Sequence, residues 1–375
     1  MANLNFSVSE INQGLDSTVF RRRYTIGVYY FPGWPTPGGG PNPSDPWSLI
    51  TTYDATRTPI LGTYNEALQS INDTHFGWMK RFGIDFMALD WFQQWSGTTL
   101  VPLLDHVLTA YKASTVSKPK FCLQFANQTT NGVGITTTTW PTIYNYWISN
   151  VFTDPNYHRI NGRPVVIMNS WPSFRSRFAS NAETASMLAQ ARAASVAAGT
   201  GSIFFVGGQG DSSSAWTDLA PFATGGWDAI SGSNVFRTTK RGPGATGDNS
   251  AGPDPTTYAD LHNAVFSGQV GAYRGFCYGW MNSAGVDVFW PPCTAGFNAA
   301  PWQAGVSTLN GMPTLAEWTQ HLITCKALLD ANPVQTQLTF MIEAWNEFGE
   351  GSILEPTLGN GGFDRLSMLK NIFER

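Results

Sequence analysis

The residues with the clearest chemical potential are Glu347 and Glu350, in the segment FMIEAWNEFGEGSILEP at residues 340–356. An apolar run that passes into polar residues and a glycine-containing turn is typical of a buried strand that delivers side chains to a cleft. Two carboxylates three residues apart repel each other unless a function keeps them there. We therefore interpret Glu347 and Glu350 as a catalytic pair, and we expect structural roles for Glu343 and Glu355.

The spacing of this pair suits the cleavage of a glycosidic bond. Such cleavage commonly uses two carboxyl groups, which lie about 5 to 5.5 Å apart in retaining enzymes. Side chains three residues apart on a helical turn have Cβ atoms roughly 5 to 6 Å apart, so both acids could face one sugar ring. Burial beside Trp345 and Phe348, with the charge of the neighbouring acid, would keep one of them protonated. Asp90 is the alternative partner, as the nucleophile of a retaining glycosidase.

The composition favours a neutral, ring-shaped ligand. Aromatic residues make up 14% of the chain and charged residues only 13%, with 15 Trp, which suits carbohydrate better than a polyanion. The net charge of -4 and the lack of basic clusters beyond residues 21–23 argue against nucleic acid as a partner. No apolar stretch is long enough for a membrane span, and the sequence does not indicate an oligomeric state.

Motifs of several other enzyme classes are absent from the sequence. It contains no HExxH, no GxSxG, no phosphate-binding GxxxxGK[ST], no GxGxxG after a strand and no Asp-x-Asp pair. The five His residues, at 75, 106, 158, 262 and 321, fall in predicted helices or near them, so no metal site and no cofactor are predicted.

The four cysteines do not form a recognisable framework. Cys122 and Cys277 lie in apolar runs and are expected to be core thiols, although Cys277 and Cys293 could pair across a loop. The N-terminal residues lack the apolar core of a secretory signal. We expect an extracellular or cell-surface protein if a signal has been removed, and a cytoplasmic one otherwise.

The rest of the sequence predicts a repeated strand and helix unit. Eight short apolar runs are each followed by a helical pattern, which favours a single (β/α)8 TIM barrel with long βα loops; a doubly wound open sheet is the alternative. The barrel is predicted over residues 25–375, after an N-terminal arm at 1–24. Residues 100–111 are predicted to be part of the helix after the second strand. The predicted strands are residues 25–32, 84–91, 119–127, 163–171, 202–209, 227–234, 271–280 and 338–346.

Aromatic and amide side chains cluster at the predicted C-terminal ends of these strands, where barrel enzymes carry their active sites. Aromatic rings pack on sugar C–H faces, and amides or carboxylates bind sugar hydroxyls. Tyr29, Asn169 and Trp171 are expected to fill the barrel mouth. The predicted substrate-binding residues are Tyr30, Trp34, Asp90, Trp91, Asn127, Gln209, Asn234, Trp280 and Asn346.

Six motifs carry a family resemblance from about residue 25 to 360. In chain order they are YYFPGW, GIDFMALDW, FCLQFAN, TDPNYHRINGRPVVIM, PPCTAGFNAAPW and AWNEFGEGSILEP. Together they resemble the family 99 glycoside hydrolases and, more closely, their WbsX-like relatives. The resemblance implies a (β/α)8 barrel, in agreement with the strand count.

The resemblance also implies a mechanism. Family 99 enzymes are retaining endo-acting hydrolases of α-mannosides, and motif by motif their acid pair corresponds to Glu347 and Glu350. The first acid would take the proton of the substrate's 2-hydroxyl, which displaces the leaving group to give a 1,2-anhydro sugar; the second would act as acid and then as base. This sequence has Phe348 and Gly349 where the mannosidases have Trp and His. WbsX-like proteins are also associated with polysaccharide biosynthesis.

Two alternatives stay open at the level of sequence. A non-catalytic glycan-binding or structural barrel would keep the aromatic groove without turnover. A glycosyltransferase that uses a sugar nucleotide has less support, because the usual nucleotide-sugar motif is missing.

Overall fold

The computed structural model describes residues 24–34, 46–96, 98–103, 105–127, 134–209, 224–232, 257–266, 276–281, 285–301, 311–359 and 361–373. Within these ranges, eight parallel strands run in one direction around a barrel, as the sequence predicts. Residues 1–23 of the predicted arm lie outside the described residues. The barrel strands are β1 Thr25–Tyr30, β2 Phe86–Ser96, β3 Lys120–Phe125, β4 Arg163–Met168, β5 Phe204–Gln209, β6 Ala229–Gly232, β7 in two parts (Phe289–Trp290 and Pro292–Thr294), and β8 Thr339–Glu343.

The seventh strand closes the barrel. Its first part pairs with β6 through Ile230 and Phe289, and its second part pairs with β8 through Cys293 and Ile342. The β8 strand in turn pairs with β1. The strand order therefore begins and ends on the two consecutive parts of β7, so the sheet curls into a nearly closed barrel, which excludes the doubly wound alternative.

The helices lie outside the barrel and follow the strands. The last long one begins in a capping box of Thr314 and Glu317, and it buries Trp318 and Leu322 on one face, as their spacing predicts. The helices are α1 Pro46–Tyr53, α2 Gln69–Arg81, α3 His106–Ala113, α4 Trp140–Asn150, α5 Trp171–Arg175, α6 Asn181–Ala197, α7 Tyr258–Phe266, α8 Phe276–Met281, α9 Leu315–Ala331, α10 Pro333–Thr336 and α11 Asp364–Phe373. None of these described helices is long and apolar enough to cross a membrane.

Two sequence predictions about the elements are wrong. Residues 276–280, predicted as part of the seventh strand, lie in helix α8, and the true β7 lies within the long loop predicted to follow that strand. The sequence does not indicate this strand because it contains Pro291 and Pro292, and proline normally argues against a central strand. Residues 100–103, predicted as helix, lie in the strand Thr99–Leu103, which pairs antiparallel with the extended end of β2.

The first part of the motif TDPNYHRINGRPVVIM, residues 153–162, lies at the opposite end of the barrel from the acids, and the rest is strand β4. Asn161 and Gly162, both with positive φ (49° and 78°), join Arg159–Ile160 to the start of β4 in a tight hairpin. His158 stacks on Phe86 with ring centroids 4.0 Å apart. Residues at this N-terminal face stabilise the barrel rather than contact a ligand.

All four cysteines are free and buried, so Cys277 and Cys293 are not paired.

Candidate active site

Glu347 and Glu350 lie on one tight turn directly after β8. The strands Asn346–Glu347 and Ser352–Ile353 pair antiparallel, and we call residues 346–353 the acid hairpin. The backbone N–H of Glu350 donates to the carbonyl oxygen of Glu347 over 3.1 Å, so the two acids take the first and fourth positions of a β-turn. Both are half-buried, and the turn stands at the C-terminal mouth of the barrel.

The Asn346 side chain joins the acid hairpin to the end of β1. Its Oδ1 accepts from the backbone N–H of Phe31 over 2.9 Å, and its Nδ2 donates to the Phe31 carbonyl oxygen over 2.8 Å. The same Nδ2 donates to Oε1 of the buried Glu66 over 3.1 Å. Both polar atoms of the Asn346 amide are thus hydrogen-bonded within the protein. These bonds hold Asn346, the residue before Glu347, in a fixed position.

Three aromatic rings in mutual contact support the tip of the turn. The Phe348 ring is buried against Trp34 and Trp47, with centroids 5.3 and 5.1 Å away, and the two Trp rings are 4.4 Å apart. Trp34 Nε1 also donates to the Asn346 carbonyl oxygen over 2.9 Å. Pairs of this kind contribute about 0.5 to 1.5 kcal/mol each beyond their buried area. Trp34 therefore lies beneath the turn, in contact with the backbone of the acid hairpin.

Two buried arginines hold the other side of the acid hairpin. Arg57 Nη1 donates to the carbonyl oxygens of Phe348 (3.2 Å) and Asn298 (3.0 Å), and the Asn298 N–H donates to the Glu350 carbonyl oxygen over 2.6 Å. Arg365 Nη1 donates to the Ile353 carbonyl oxygen over 3.0 Å. Burial lowers the pKa of both guanidinium groups. Loops after β1 and β7 and helix α11 thus set the position of the turn.

Polar side chains from the strands lie below the acids inside the barrel mouth. The Tyr29 hydroxyl faces Ser231, Glu343 and Asp90, and burial raises its pKa well above its usual value. Gln124 Nε2 donates to Asn169 Oδ1 over 2.8 Å. We call Tyr29, Asp90, Gln124, Asn169 and Ser231 the polar floor. The expectation that Tyr29 and Asn169 fill the barrel mouth agrees with these positions.

Asp90 is the residue of the polar floor that interacts with the acid pair. Burial, followed by the negative charge of Glu350, raises the pKa of Asp90 to about 8. Its Oδ1 is buried and has no hydrogen-bond partner in the described part of the chain. A carboxyl group in these surroundings is neutral at pH 7, and it can donate a hydrogen bond.

Several predicted substrate-binding residues face away from the cleft. Trp91 packs outward among Phe125, Tyr146 and Trp147, between the barrel and α4. The Tyr30 hydroxyl is buried and lies 3.0 Å from His75 Nδ1. Strand alternation explains both positions, because Tyr29 and Asp90 face inward and their immediate successors must face outward.

The remaining predicted substrate-binding residues have mixed positions. Asn127 is buried, and its amide exchanges two hydrogen bonds with the Ser170 backbone, at 2.9 and 2.7 Å. Trp280 lies on helix α8 and is buried near Trp171, so its predicted place on a seventh strand is wrong. Gln209 ends β5, paired in register with Gly232, and its side chain is outside the described atoms. Asn234 lies outside the described residues.

Two residues that contact the acid hairpin were not predicted from the sequence. Arg57 binds the Phe348 carbonyl oxygen, and Glu66 accepts from the Asn346 side chain. Glu66 Oε2 accepts from the Trp34 N–H over 3.1 Å and lies 3.3 Å from His106 Nε2. Neither residue follows a strand or belongs to a motif, so no local signal indicates its role.

Glu355 has a structural role, as expected: its carboxyl group accepts from the Tyr64 hydroxyl over 2.9 Å and lies 3.2 Å from His75 Nε2. Among the described residues, no group of His, Cys, Asp or Glu side chains could hold a metal ion.

Comparison with solved structures supports the barrel. A structure described as a glycoside hydrolase-like protein is 14% identical over 95% of each chain, with a TM-score of 0.64. Two structures of the GH99 endo-α-mannosidase from Bacteroides thetaiotaomicron, one in complex with bis-tris-propane, have TM-scores of 0.60 and 0.59 at 14% and 16% identity. They cover 93% and 92% of this chain and 96% of their own. At such identities the likeness shows the fold alone.

Comparison with sequences gives the family. No curated protein matches the chain. The model of a family described as "Glycosyltransferase WbsX" matches residues 52–363, from α1 to the residue before α11. That range includes seven of the eight barrel strands, the acid hairpin and the residues of the polar floor other than Tyr29. The predicted resemblance is confirmed, and the chain belongs to the WbsX family.

Proposed function

We propose that this protein is a retaining glycoside hydrolase that cleaves an α-linked glycan, with Glu347 and Glu350 as its catalytic pair. The observation that carries the proposal is the β-turn that places both acids at the barrel mouth, with the N–H of Glu350 bound to the carbonyl oxygen of Glu347. Active sites of (β/α)8 enzymes occupy this face. The named activity of the GH99 structures, endo-α-mannosidase, supports an α-mannoside as the first substrate to test.

The first step of the proposed mechanism breaks the glycosidic bond. Glu347 takes the proton of the sugar 2-hydroxyl, O2 attacks C1, and the bond from C1 to the leaving oxygen breaks. Glu350 gives its proton to that oxygen. The products are a free leaving group and a 1,2-anhydro sugar, with Glu347 now protonated and Glu350 ionised. General acid–base help of this kind is worth about 10² to 10⁴-fold for each group.

The second step restores both acids. Glu350 takes a proton from water, the water oxygen attacks C1, and the bond from C1 to O2 opens. Glu347 returns its proton to O2, so the product keeps the anomeric configuration of the substrate. Each acid exchanges its proton with a fixed position, which requires a rigid turn. The contacts that the acid hairpin makes with Phe31, Trp34 and Arg57 support that rigidity.

The direct test uses α-linked manno-oligosaccharides with Glu347→Gln and Glu350→Gln. We expect each variant to lose at least about 100-fold in kcat/KM while its Tm stays near that of the wild type. Glu183→Gln is the matched control, because Glu183 lies in the first turn of α6 and its Oε2 accepts from the Ala179 N–H, a hydrogen bond that the Gln amide oxygen can keep. Full activity in either active-site variant would contradict the proposal. Chromatographic or NMR analysis of early products should show retained configuration.

A second candidate is glycosyl transfer, which the description of the family favours. In that case a sugar hydroxyl replaces water in the second step, and the same acid pair acts on it. Incubation with a glycan donor and an excess of acceptor sugar distinguishes the two outcomes by mass spectrometry of the products. A transferase that uses sugar nucleotides predicts thermal stabilisation by a sugar nucleotide, whereas the hydrolase does not.

A further inference from the structure

Asp90 occupies a defined inward position on β2. It pairs in register with Gln124 of β3, and two residues earlier Ala88 lies between Tyr29 and Cys122. Alternate residues of a strand face the same side, so Asp90 faces the barrel mouth together with the inward Tyr29. The residue is partly exposed. It can therefore be reached by a ligand that is bound at Glu350.

One oxygen of the Asp90 carboxyl group lacks a partner. Oδ1 is buried, and within the described ranges no donor or acceptor lies in hydrogen-bond distance of it. Buried polar atoms are nearly always paired, and an exception at the mouth of a cleft indicates a partner supplied by a ligand. Sugars offer such partners, since each ring carries several hydroxyl oxygens.

The groups that face Asp90 do not stabilise a negative charge on it. Glu350 faces it from the acid hairpin, Tyr29 from β1 and Gln124 from β3. The first is an acid, and the other two side chains are neutral at pH 7. Burial and the Glu350 carboxylate both raise the pKa of Asp90, to about 8. Once Glu350 has given up its proton in the first step, an ionised Asp90 would place two negative charges side by side in the cleft.

We propose that Asp90 is a third functional carboxyl group of the site, which enters the reaction as a neutral acid and donates a hydrogen bond to an oxygen of the sugar bound beside Glu350. This inference rests on the proposed function and specifies it further. A neutral acid is a poor nucleophile, so Asp90 does not form a covalent bond with the sugar. Its proton stays on the carboxyl group throughout both steps and orients the ring against the acid pair.

Substitution by Asn tests this role, because the amide is neutral and donates a hydrogen bond at every pH. Asp90→Asn should lose roughly 3- to 30-fold in kcat/KM at pH 6.5, since an amide is the weaker donor. Both proteins should lose activity as the general acid loses its proton, but only the wild type also loses the Asp90 proton, so the ratio of Asp90→Asn to wild-type kcat/KM should rise above pH 8. Asp90→Leu, without a donor, should lose about 100-fold or more at all pH values. The exposed Asp287→Asn should match the wild type.

A stability measurement tests the inference without turnover. A carboxyl group whose pKa is higher in the folded state keeps its proton while the unfolded chain loses it, so folding is destabilised as pH rises from about 4 to 8. Asp90→Asn escapes this loss. Its Tm relative to the wild type should rise steadily over that range and level off above pH 8, whereas Asp287→Asn should follow the wild type.

The outcomes separate the inference from the proposed function. Parallel Tm profiles for the wild type and Asp90→Asn would overturn the neutral-acid role, whether or not a substrate has been found. An active wild type with an inactive Asp90→Asn would overturn it too, and would favour Asp90 as nucleophile while the hydrolase proposal stands. A wild type without activity on any glycan, but with the expected Tm profile, would contradict the proposed function and leave a neutral Asp90 in a binding cleft.

Discussion

The Arg57 guanidinium donates to the carbonyl oxygen of Phe348 over 3.2 Å, at the tip of the turn that carries both acids. The same nitrogen donates to the Asn298 carbonyl oxygen over 3.0 Å, and Asn298 in turn binds the backbone of Glu350. Arg57 also forms an ion pair with Asp54, whose Oδ2 lies 3.7 Å from Arg57 Nε. The position of the acid hairpin therefore depends on a residue that lies almost 300 positions earlier in the chain.

Arg57→Lys should reduce kcat more than it raises KM. Lysine lacks the rigid planar guanidinium that holds Nη1 against both carbonyl oxygens, and its ammonium lies at the end of a shorter, flexible chain, so the turn loses its fixed position. We expect a loss of about 10- to 100-fold in kcat with a smaller change in KM, and partial recovery with low concentrations of guanidinium ion. The exposed Arg81→Lys is the control. Unchanged kcat in Arg57→Lys would show that the turn does not need this contact.

Gly351→Ala should impair both stability and activity. Gly351 has φ of 75°, and an added Cβ would lie 2.8 Å from the Asn298 backbone nitrogen. Gly62→Ala is a matched control, because Gly62 has φ of 73° but an added Cβ there meets nothing within 4 Å. Both variants bear the cost of a left-handed alanine, about 1 to 2 kcal/mol. Only Gly351→Ala should also lose catalytic rate, as kinetic assays and thermal unfolding would show.

Asn346→Asp should destabilise the protein and inactivate it. The substitution replaces the Nδ2 donor by an acceptor that faces the Phe31 carbonyl oxygen and the Glu66 carboxylate. Loss of a buried donor costs about 1 to 3 kcal/mol for each acceptor left without a partner.

Asn127→Asp provides the comparison for Asn346→Asp. Asn127 makes a similar pair of hydrogen bonds to Ser170, between the ends of β3 and β4. Both variants should lower Tm, but the loss of kcat should be much larger for Asn346→Asp, because only Asn346 is part of the acid hairpin. Equal effects on kcat would argue against a specific positioning role for Asn346.

Stability should fall below pH 6.5 because of His158. Burial and the neighbouring Lys120 lower the pKa of this histidine to about 3. The contribution of its neutral form is fully present above the unfolded pKa near 6.5, and it is lost as pH falls towards 3, since only the unfolded chain takes up the proton. The slope is about 1.4 kcal/mol per pH unit for one such group.

His158→Phe isolates this contribution. The hydrogen bonds that fix residue 158 are made by its backbone, with Phe121 and Val165, and a phenyl ring can still stack on Phe86. The variant should lose less unfolding free energy between pH 6.5 and 4.5 than the wild type in denaturant titrations. Curves that run parallel over this interval would contradict the assignment.

The sequence by itself determined the repeated unit and the place of the acid hairpin in the chain. Local hydrophobic periodicity indicated seven of the eight barrel strands and helix α9, and an apolar run followed by Trp345, Asn346 and Glu347 marked the end of the last strand. These signals are local, because each depends on residues within one element and its flanks. The composition likewise indicated a carbohydrate ligand before any fold was considered.

The tertiary structure decided which strand closes the barrel and which side chains face its mouth. β7 has two prolines at its centre and divides its pairing between β6 and β8, which no local preference predicts. Asp90 and Trp91 are adjacent, and the sequence predicts both as substrate-binding residues. In the closed barrel, Asp90 faces Glu350 and Trp91 faces α4. Arg57 and Glu66 are far from the acid hairpin in the sequence, and folding of the chain brings them into contact with it. Such contacts arise from closure of the barrel and packing of its loops, and so they leave no periodic or motif signal in the sequence.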